Sequence, residues 1–473
     1  LLALACWCQL VLAGQAATTP LRWGVDLEGG APYAFTDPHN PQRVIGFEQE
    51  IADELAKRLG RPLERVQINW DSLIPALSRG TFDLAMAGIE LTDEHRRGAL
   101  FSRPYCAYQQ QIVVRRDNDA IKAFSDLKGK RVGTIANSAA HRMLQGLGDV
   151  DCKIYSDIYA AYQDLGFDRL DAVFMDQPIA AYYAKDNPRV RFIQPPLGEG
   201  MYAIAFKQGN TALKAQVDDA LEAMIRDGSL ERILRHWDLW GPQQAKLASY
   251  VDPHPVAGGN EAPWQRVLPV LLTGAVMTIK ISLLAMALSM GVGLLLAIGR
   301  IYGPWPVRAI AQGYVEVFRG TPLLIQLYLL YYGLPNLGIR LDAFVAGVVG
   351  LGLNYAANEA ENYRAGILAV PRGQTEASLA LGLSRLQVLK DVILPQSLRV
   401  ALPPVTNDFI ALFKDSSLVS VITLVELTKA YGMLASATFD YIGLGLVTAA
   451  LYLAISYPTA MLARWTERRL AKA

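Results

Sequence analysis

Two kinds of hydrophobic pattern divide the 473 residues near position 260. Ahead of that point short apolar runs alternate with amphipathic segments; beyond it the apolar runs lengthen and lose their charges. Residues 21–25 read as a strand, and residues 46–59 carry Phe47, Ile51, Leu55 and Leu59 at i/i+4 spacing on one face of a helix. The series continues with a strand at 63–68, a short helix at 73–79, strands at 82–87, 111–115, 131–135 and 172–174, and a last helix over 213–237. Strands alternating with helices predict a largely parallel α/β sheet. Pro253, Pro255, Gly258, Gly259 and Pro263 make 245–264 a linker. Five membrane segments are expected after it: one ending in the uncharged stretch 281–299, then 320–339, 343–363, 400–413 and 442–463. The last has 22 residues without a charge, enough at ~1.5 Å each to cross a core of ~30 Å.

Composition sharpens the division. The 52% hydrophobic content and mean hydropathy of +0.19 average two unlike halves. A net charge of +1 with no basic cluster gives no reason to expect a nucleic-acid partner. Residues 1–17 hold an apolar run followed by Gly14 and Ala16, a pattern for signal-peptidase cleavage; no Met or basic residue precedes it, so its start is expected to be clipped. Export and the positive-inside rule agree on orientation. With the first half outside, Arg300 and Arg308, then Arg372, Arg385 and Lys390, and finally the basic tail 464–472 all fall on the cytoplasmic side. Export would permit a disulfide between Cys106 and Cys152, but two buried thiols are the commoner outcome for cysteines so far apart in sequence.

Between the third and fourth apolar segments lies Gln374-Thr375-Glu376-Ala377-Ser378-Leu379-Ala380-Leu381-Gly382, closed by Val392-Ile393-Leu394-Pro395. The pattern resembles the coupling loop of ABC importer permeases, with Ser378 in place of an alanine. Phe318-Arg319-Gly320-Thr321-Pro322, the stretch from Asn354 to Glu361, and Asn407-Asp408 through Leu418 resemble the permeases of polar amino-acid importers over about 265–473. The resemblance implies a five-helix, type I importer permease with its coupling loop at 364–395. There Gln374, Glu376, Ala377, Ser378 and Gly382 would meet an ABC ATPase subunit. It also implies a second permease copy, identical or not, and places ATP and magnesium on the ATPase rather than on this chain. Ionisable residues within membrane segments usually face a polar interior. Glu359 and Glu361 are therefore candidates for the translocation path or a dimer contact, unless they reach water at the end of their helix.

Residues 18–244 resemble the periplasmic solute-binding proteins of the same importers. Gly46-Phe47-Glu48, Trp70-Asp71-Ser72-Leu73, Phe101-Ser102-Arg103-Pro104-Tyr105, Asp126-Leu127-Lys128-Gly129 and Asp171 to Asp176 occur in the family's order. The resemblance implies two α/β lobes, 21–108 plus 199–240 and 112–195, closing on an amino acid as a hinge. Carried over position by position, it assigns the ligand to Asp26, Tyr33, Trp70, Gly88, Glu90, His95, Arg96, Ser138 and Asp176. Asp176 would receive the ammonium, or else cap the helix ahead of Pro178. Trp70 would clamp the ligand, or else pack in the core. Ser138 would meet the carboxylate. Three places depart from the family: Glu90 stands where a hydroxyl is usual, His95 takes the slot of the usual arginine, with Arg96 one residue later, and Gly29-Gly30 replaces the usual aromatic after the first strand. Either Glu90 helps Asp26 and Asp176 favour a basic ligand, or it pairs with Arg96 and shapes the loop.

The function implied is binding and inward transport of a polar amino acid by a multi-pass protein of the bacterial inner membrane. Its binding half would be periplasmic and its C-terminus cytoplasmic. No G-x4-G-K-[ST] phosphate loop is present, so ATP hydrolysis is expected on a separate subunit and the chain is not expected to be an enzyme. A glutamate-receptor-like ligand-gated channel and an amino-acid sensor are the alternatives.

Overall fold

The computed structural model describes residues 19–28, 30–251 and 264–470, with side chains up to 461. The expected signal segment, Gly29 and most of the linker lie outside the described residues. The chain divides into two compact units near residue 261.

The first unit is built on one mixed sheet of eight strands: β1 (Leu21–Val25), β4 (Leu63–Gln67), β5 (Leu84–Ala85), β6 (Leu100–Arg115), β7 (Arg131–Ile135), β8 (Asp151–Tyr155), β9 (Ala172–Asp176) and β10 (Val190–Phe206). The order is β4-β1-β5-β10-β6-β9-β7-β8, and a separate hairpin pairs β2 (Phe35–Asp37) with β3 (Asn40–Ile45). Strands β1, β4 and β5 are parallel to one another, as are β7, β8 and β9. β6 and β10 run antiparallel through the middle. β5 pairs with the Ala205–Phe206 end of β10, and β9 with the Gln110–Val114 stretch of β6. These two strands therefore tie a first lobe to a second. Each lobe has its own apolar core, one around Leu73, Leu77, Phe82 and Phe101, the other around Ile112, Leu127, Leu144 and Phe174.

The helices follow from their stripes. α1 (Phe47–Leu59) buries Phe47, Ile51 and Leu55 and ends at Gly60 in the left-handed region. After α2 (Leu73–Ser78), α3 (Asp93–Gly98) starts at the Thr92 hydroxyl, which accepts a hydrogen bond from His95 N. α4 (Ala139–Leu147) is capped by Ser138, α5 (Ile158–Gly166) by Asp157, and α6 (Gln177–Ala184) follows β9 directly. The single helix expected over 213–237 is two: α7 (Thr211–Arg226) and α8 (Ser229–His236), broken at Gly228, whose φ is +73°. The strand expected over 82–87 pairs only at Leu84–Ala85. β10 escaped prediction because Pro195, Pro196, Gly198 and Gly200 interrupt its pattern; its ladder with β6 slips at several places there. Cys106 and Cys152 are separate thiols.

The second unit is helical. Among its described residues, α9 (Trp264–Tyr302) and α17 (Tyr441–Leu470) contain the stretches long and apolar enough to cross a membrane. Between them lie α10 (Trp305–Gly320), α11 (Leu323–Tyr328), α12 (Ala343–Ala369), α13 (Arg372–Ala380), α14 (Arg385–Gln387), α15 (Leu394–Asp415) and α16 (Leu427–Thr438). Each expected membrane segment has a helix, but α9 begins well before 281, so Lys280 lies inside it. α10 and α16 are additional. Leu272, Val276, Leu283, Leu284 and Leu295 of α9 are exposed, as suits side chains whose solvent is lipid. The buried faces meet through small residues: a Cβ on Gly293 of α9 would lie 2.5 Å from Glu359 Cβ of α12, a closeness typical of membrane helix packing.

Candidate functional site

A cavity of about 60 Å³ opens between the two lobes of the first unit. Its walls come from the ends of strands, where the chain turns into a helix or loop. Asp26 follows β1; Ala87, Gly88 and Glu90 follow β5; Ile135 and Ser138 bridge β7 and α4; Met175 and Asp176 close β9. Of the nine residues assigned from sequence, Asp26, Tyr33, Trp70, Gly88, Glu90, Ser138 and Asp176 line it. His95 and Arg96 do not.

Asp176 is the chemical centre. It is 7% exposed, and its carboxylate accepts from Gln110 Nε2 at 2.7 Å and from the Tyr202 hydroxyl. Tyr33 and Tyr202 hydroxyls are 2.8 Å apart; with the Tyr202 proton on Asp176, Tyr33 donates to Tyr202. Tyr108 stacks on the Tyr202 ring at 4.2 Å. Burial, and next the charge of Glu90, push the Asp176 pKa up to about 7, against the opposing pull of its two donors and of Arg142. The capping alternative fails, because Asp176 makes no side-chain cap hydrogen bond to α6.

Asp26 works locally: it accepts from Trp70 N at 2.9 Å and Gln67 Nε2 at 3.2 Å, which fixes Trp70 at the wall. The Trp70 indole is half-buried and donates to Ala87 O at 3.0 Å. Gly88 has φ +61°, and a Cβ there would meet the Tyr33 ring at 2.6 Å; its N–H donates to Glu48 Oε1 at 2.6 Å. Glu48 is fully buried, and desolvation raises its pKa to about 7.

Glu90 is paired, but not with Arg96. Its Oε2 lies 2.7 Å from Arg142 Nη2, and its Oε1 accepts from Ala139 N at 2.8 Å, the first amide of α4. Arg96 instead donates to the Tyr250 hydroxyl at 2.7 Å. The alternative of a Glu90–Arg96 pair thus gives way to a Glu90–Arg142 pair across the lobes. The reason is helical phase. Neighbouring residues on a helix point ~100° apart; His95 turns inward, its Nδ1 2.8 Å from Glu90 O, so Arg96 turns away. Ser138 Oγ accepts from His141 N and donates to Ile135 O at 2.8 Å. Arg142, Tyr202 and Gln110 were missed. Arg142 stands four residues after Ser138, on the same helix face; nothing in its local sequence names its partner. Among the described residues no group of three or more His, Cys, Asp or Glu could hold a metal.

In the helical unit, α13 carries Gln374, Glu376, Ala377 and Ser378. The Ser378 hydroxyl donates to Gln374 O at 2.6 Å, so serine fits where alanine was expected. Gly382 has φ +85° with nothing within 4 Å of a Cβ: conformation, not crowding, calls for glycine there. Ser384 and Gln387 form a capping box for the next turn. Leu379, Leu381 and Leu386 are exposed. Glu361 pairs with Arg300 and Arg364. Glu359 is fully buried in α12, and neither carboxylate oxygen has a hydrogen-bond partner.

Comparison with known proteins places both units. Residues 21–239 match the bacterial extracellular solute-binding proteins, family 3. Residues 289–472 match the binding-protein-dependent transport system inner membrane component. Over 205 residues the chain is 38% identical to the glutamine transport system permease protein GlnP of Escherichia coli, covering 43% of this chain and 94% of that one. The arginine transport system permease protein ArtQ of Bacillus subtilis is 36% identical over 204 residues, 43% of this chain and 93% of that one. The L-cystine transport system permease protein TcyB of the same species is 36% identical over 217 residues, 45% and 93%. A solved structure of an ancestral arginine-binding protein bound to arginine covers 47% of this chain and 99% of its own, at 34% identity and a TM-score of 0.43.

Proposed function

Since the chain belongs to the amino-acid ABC transporter permeases and joins a solute-binding domain to that permease, we propose that its cleft captures a polar amino acid, with basic side chains favoured, and that the helical unit conducts it inward. The observation that carries this reading is the buried Asp176, set in a cleft whose lining residues include three carboxylates and no Lys, Arg or His. A buried carboxylate held by two neutral donors gains most from a ligand ammonium or guanidinium.

The rest of the cycle follows from the loop. Glu376 and the exposed Leu379, Leu381 and Leu386 offer an acidic and apolar surface for an ATPase subunit, on which ATP and magnesium would be held. One permease domain lines half a pathway, so a second copy, identical or related, completes it. The binding half faces outward and the C-terminus faces the cytoplasm. Glu359 and Glu361 remain the candidates for polar groups along the path. The two matched segments follow one another without interleaving, and the channel alternative has no support. Uptake of labelled amino acids into proteoliposomes containing the chain and its ATPase tests the proposal. ATP-dependent accumulation of at least one polar amino acid is expected, and its absence across the full set would refute the reading.

A further inference from the structure

Five donors along the cleft are already engaged by the protein itself. Trp70 N donates to Asp26, Trp70 Nε1 to Ala87 O, Gly88 N to Glu48, Ser138 Oγ to Ile135 O and Ala139 N to Glu90. The Arg142 guanidinium, the one cationic group within hydrogen-bonding distance of a lining side chain among the described pairs, is also on Glu90. The first amide of a helix and an arginine are what a ligand carboxylate would require. Here the chain's own carboxylate, 2% exposed, already sits on both. The acceptor side differs: Asp176 carries a carboxylate held only by neutral donors, Tyr202 and Gln110.

We infer that Glu90 is a built-in anion that fills the carboxylate-receiving corner of the cleft, so that the site prefers cations without a carboxylate, alkyl amines and alkyl guanidines, to the amino acids with the same side chain. The inference rests on the cleft being the ligand site and on its preference for a cation; it goes beyond that reading by ranking the amino acid below its decarboxylated counterpart. An amino acid that seats its carboxylate on Ala139 N and Arg142 Nη2 must displace Glu90 from both. That leaves a second buried carboxylate in search of partners, which costs more than the displaced contact returns. An amine or guanidine binds at Asp176 and leaves the Glu90 contacts in place.

The test is a paired titration on the full chain in nanodiscs, by calorimetry, of arginine against agmatine and of lysine against cadaverine. Each decarboxylated partner is expected to bind at least tenfold tighter than its amino acid. In Glu90→Ser, which frees Ala139 N and Arg142, the order should invert. Glu90→Gln, which keeps the side-chain volume and removes the charge, should move in the same direction if the serine variant does not fold. Tighter binding of arginine and lysine by the wild-type chain overturns the inference and leaves the cleft reading intact. So does an amine-to-amino-acid ratio unchanged in both variants. If no member of either pair binds, the inference falls, and the uptake assay over the full set of amino acids decides separately whether the cleft reading stands.

Discussion

Replacing Asp176 by Asn should weaken ligand binding and stabilise the empty fold together, because one buried charge underlies both. The folded pKa of about 7 stands about three units above the ordinary 3.8; at ~1.4 kcal/mol per unit, ionising Asp176 in the folded state costs about 4 kcal/mol more than in the unfolded chain. A raised folded pKa means that the folded state binds the extra proton. Its contribution is fully present below the unfolded pKa and is lost as pH rises toward and through about 7. Asn carries no such loss. Asp176→Asn should therefore gain stability over the wild type as pH rises, with the gap widening by about 2–3 kcal/mol between pH 5 and pH 8. For a cationic ligand the sign reverses. Loss of a buried charge partner costs about 2–5 kcal/mol, a factor of roughly 30 to 4,000 in Kd. Urea denaturation of the binding half at both pH values, with calorimetry at pH 8, measures both effects. A stability gap independent of pH, or an affinity within threefold of wild type, would refute the reasoning.

A fragment of residues 19–251 should fold and bind alone, whereas one ending at Gln244 should be weaker by about 2–3 kcal/mol in urea, since it loses Leu247, which is 1% exposed, and the Tyr250 hydroxyl on Arg96. Cation affinity should fall about tenfold per pH unit below about 7, the region where Asp176 takes up a proton; equal heats in buffers of different ionisation enthalpy at pH 6.5 would show that no proton is released. Glu376→Lys and Gly382→Val should leave ligand binding unchanged and abolish uptake and ligand-stimulated ATP hydrolysis in proteoliposomes. Gly382→Asn should be milder than Gly382→Val, because the strain is in a φ of +85° that asparagine tolerates; normal uptake by Gly382→Val would remove the coupling assignment.

Where one face of an element meets a core and the other meets water, the sequence carries the period, and α1 was legible for that reason; β1, β7 and the start of β9 were legible as short apolar runs that are buried almost throughout. β6 was read only at its end, residues 111–115. Its burial does not alternate, and the residues Leu100–Arg115 include Pro104 and buried polar side chains that hydrogen-bond to main-chain carbonyls or to Asp176. Gln111, for example, donates to Ile112 O and Ile193 O. α7 and α8 each carry an apolar stripe and are separated by only Asp227 and Gly228, so the pattern merges two helices that a positive φ separates. In the helical unit, hydropathy marks lipid contact and not helix length. It found the uncharged end of α9 and missed α10, which carries Arg308, Glu316 and Arg319.

The cleft shows a different kind of limit. Asp176 could be located because it ends an apolar strand, and Glu90 because an acid stood at an unusual place; both signals are local. The partner of Glu90 is not local. Arg96 lay six residues away and Arg142 lay fifty-two, and proximity along the chain favoured the wrong one. The deciding geometry is that His95 takes the backbone carbonyl of Glu90 while the Glu90 carboxylate reaches Ala139 and Arg142 in the other lobe. A pair of this kind has both partners only while the lobes are together. Its free energy therefore belongs to lobe closure and not to either lobe, so no segment of sequence read alone can contain it. A ligand that leaves the pair intact closes the cleft with its help; a ligand that breaks it must supply that free energy itself.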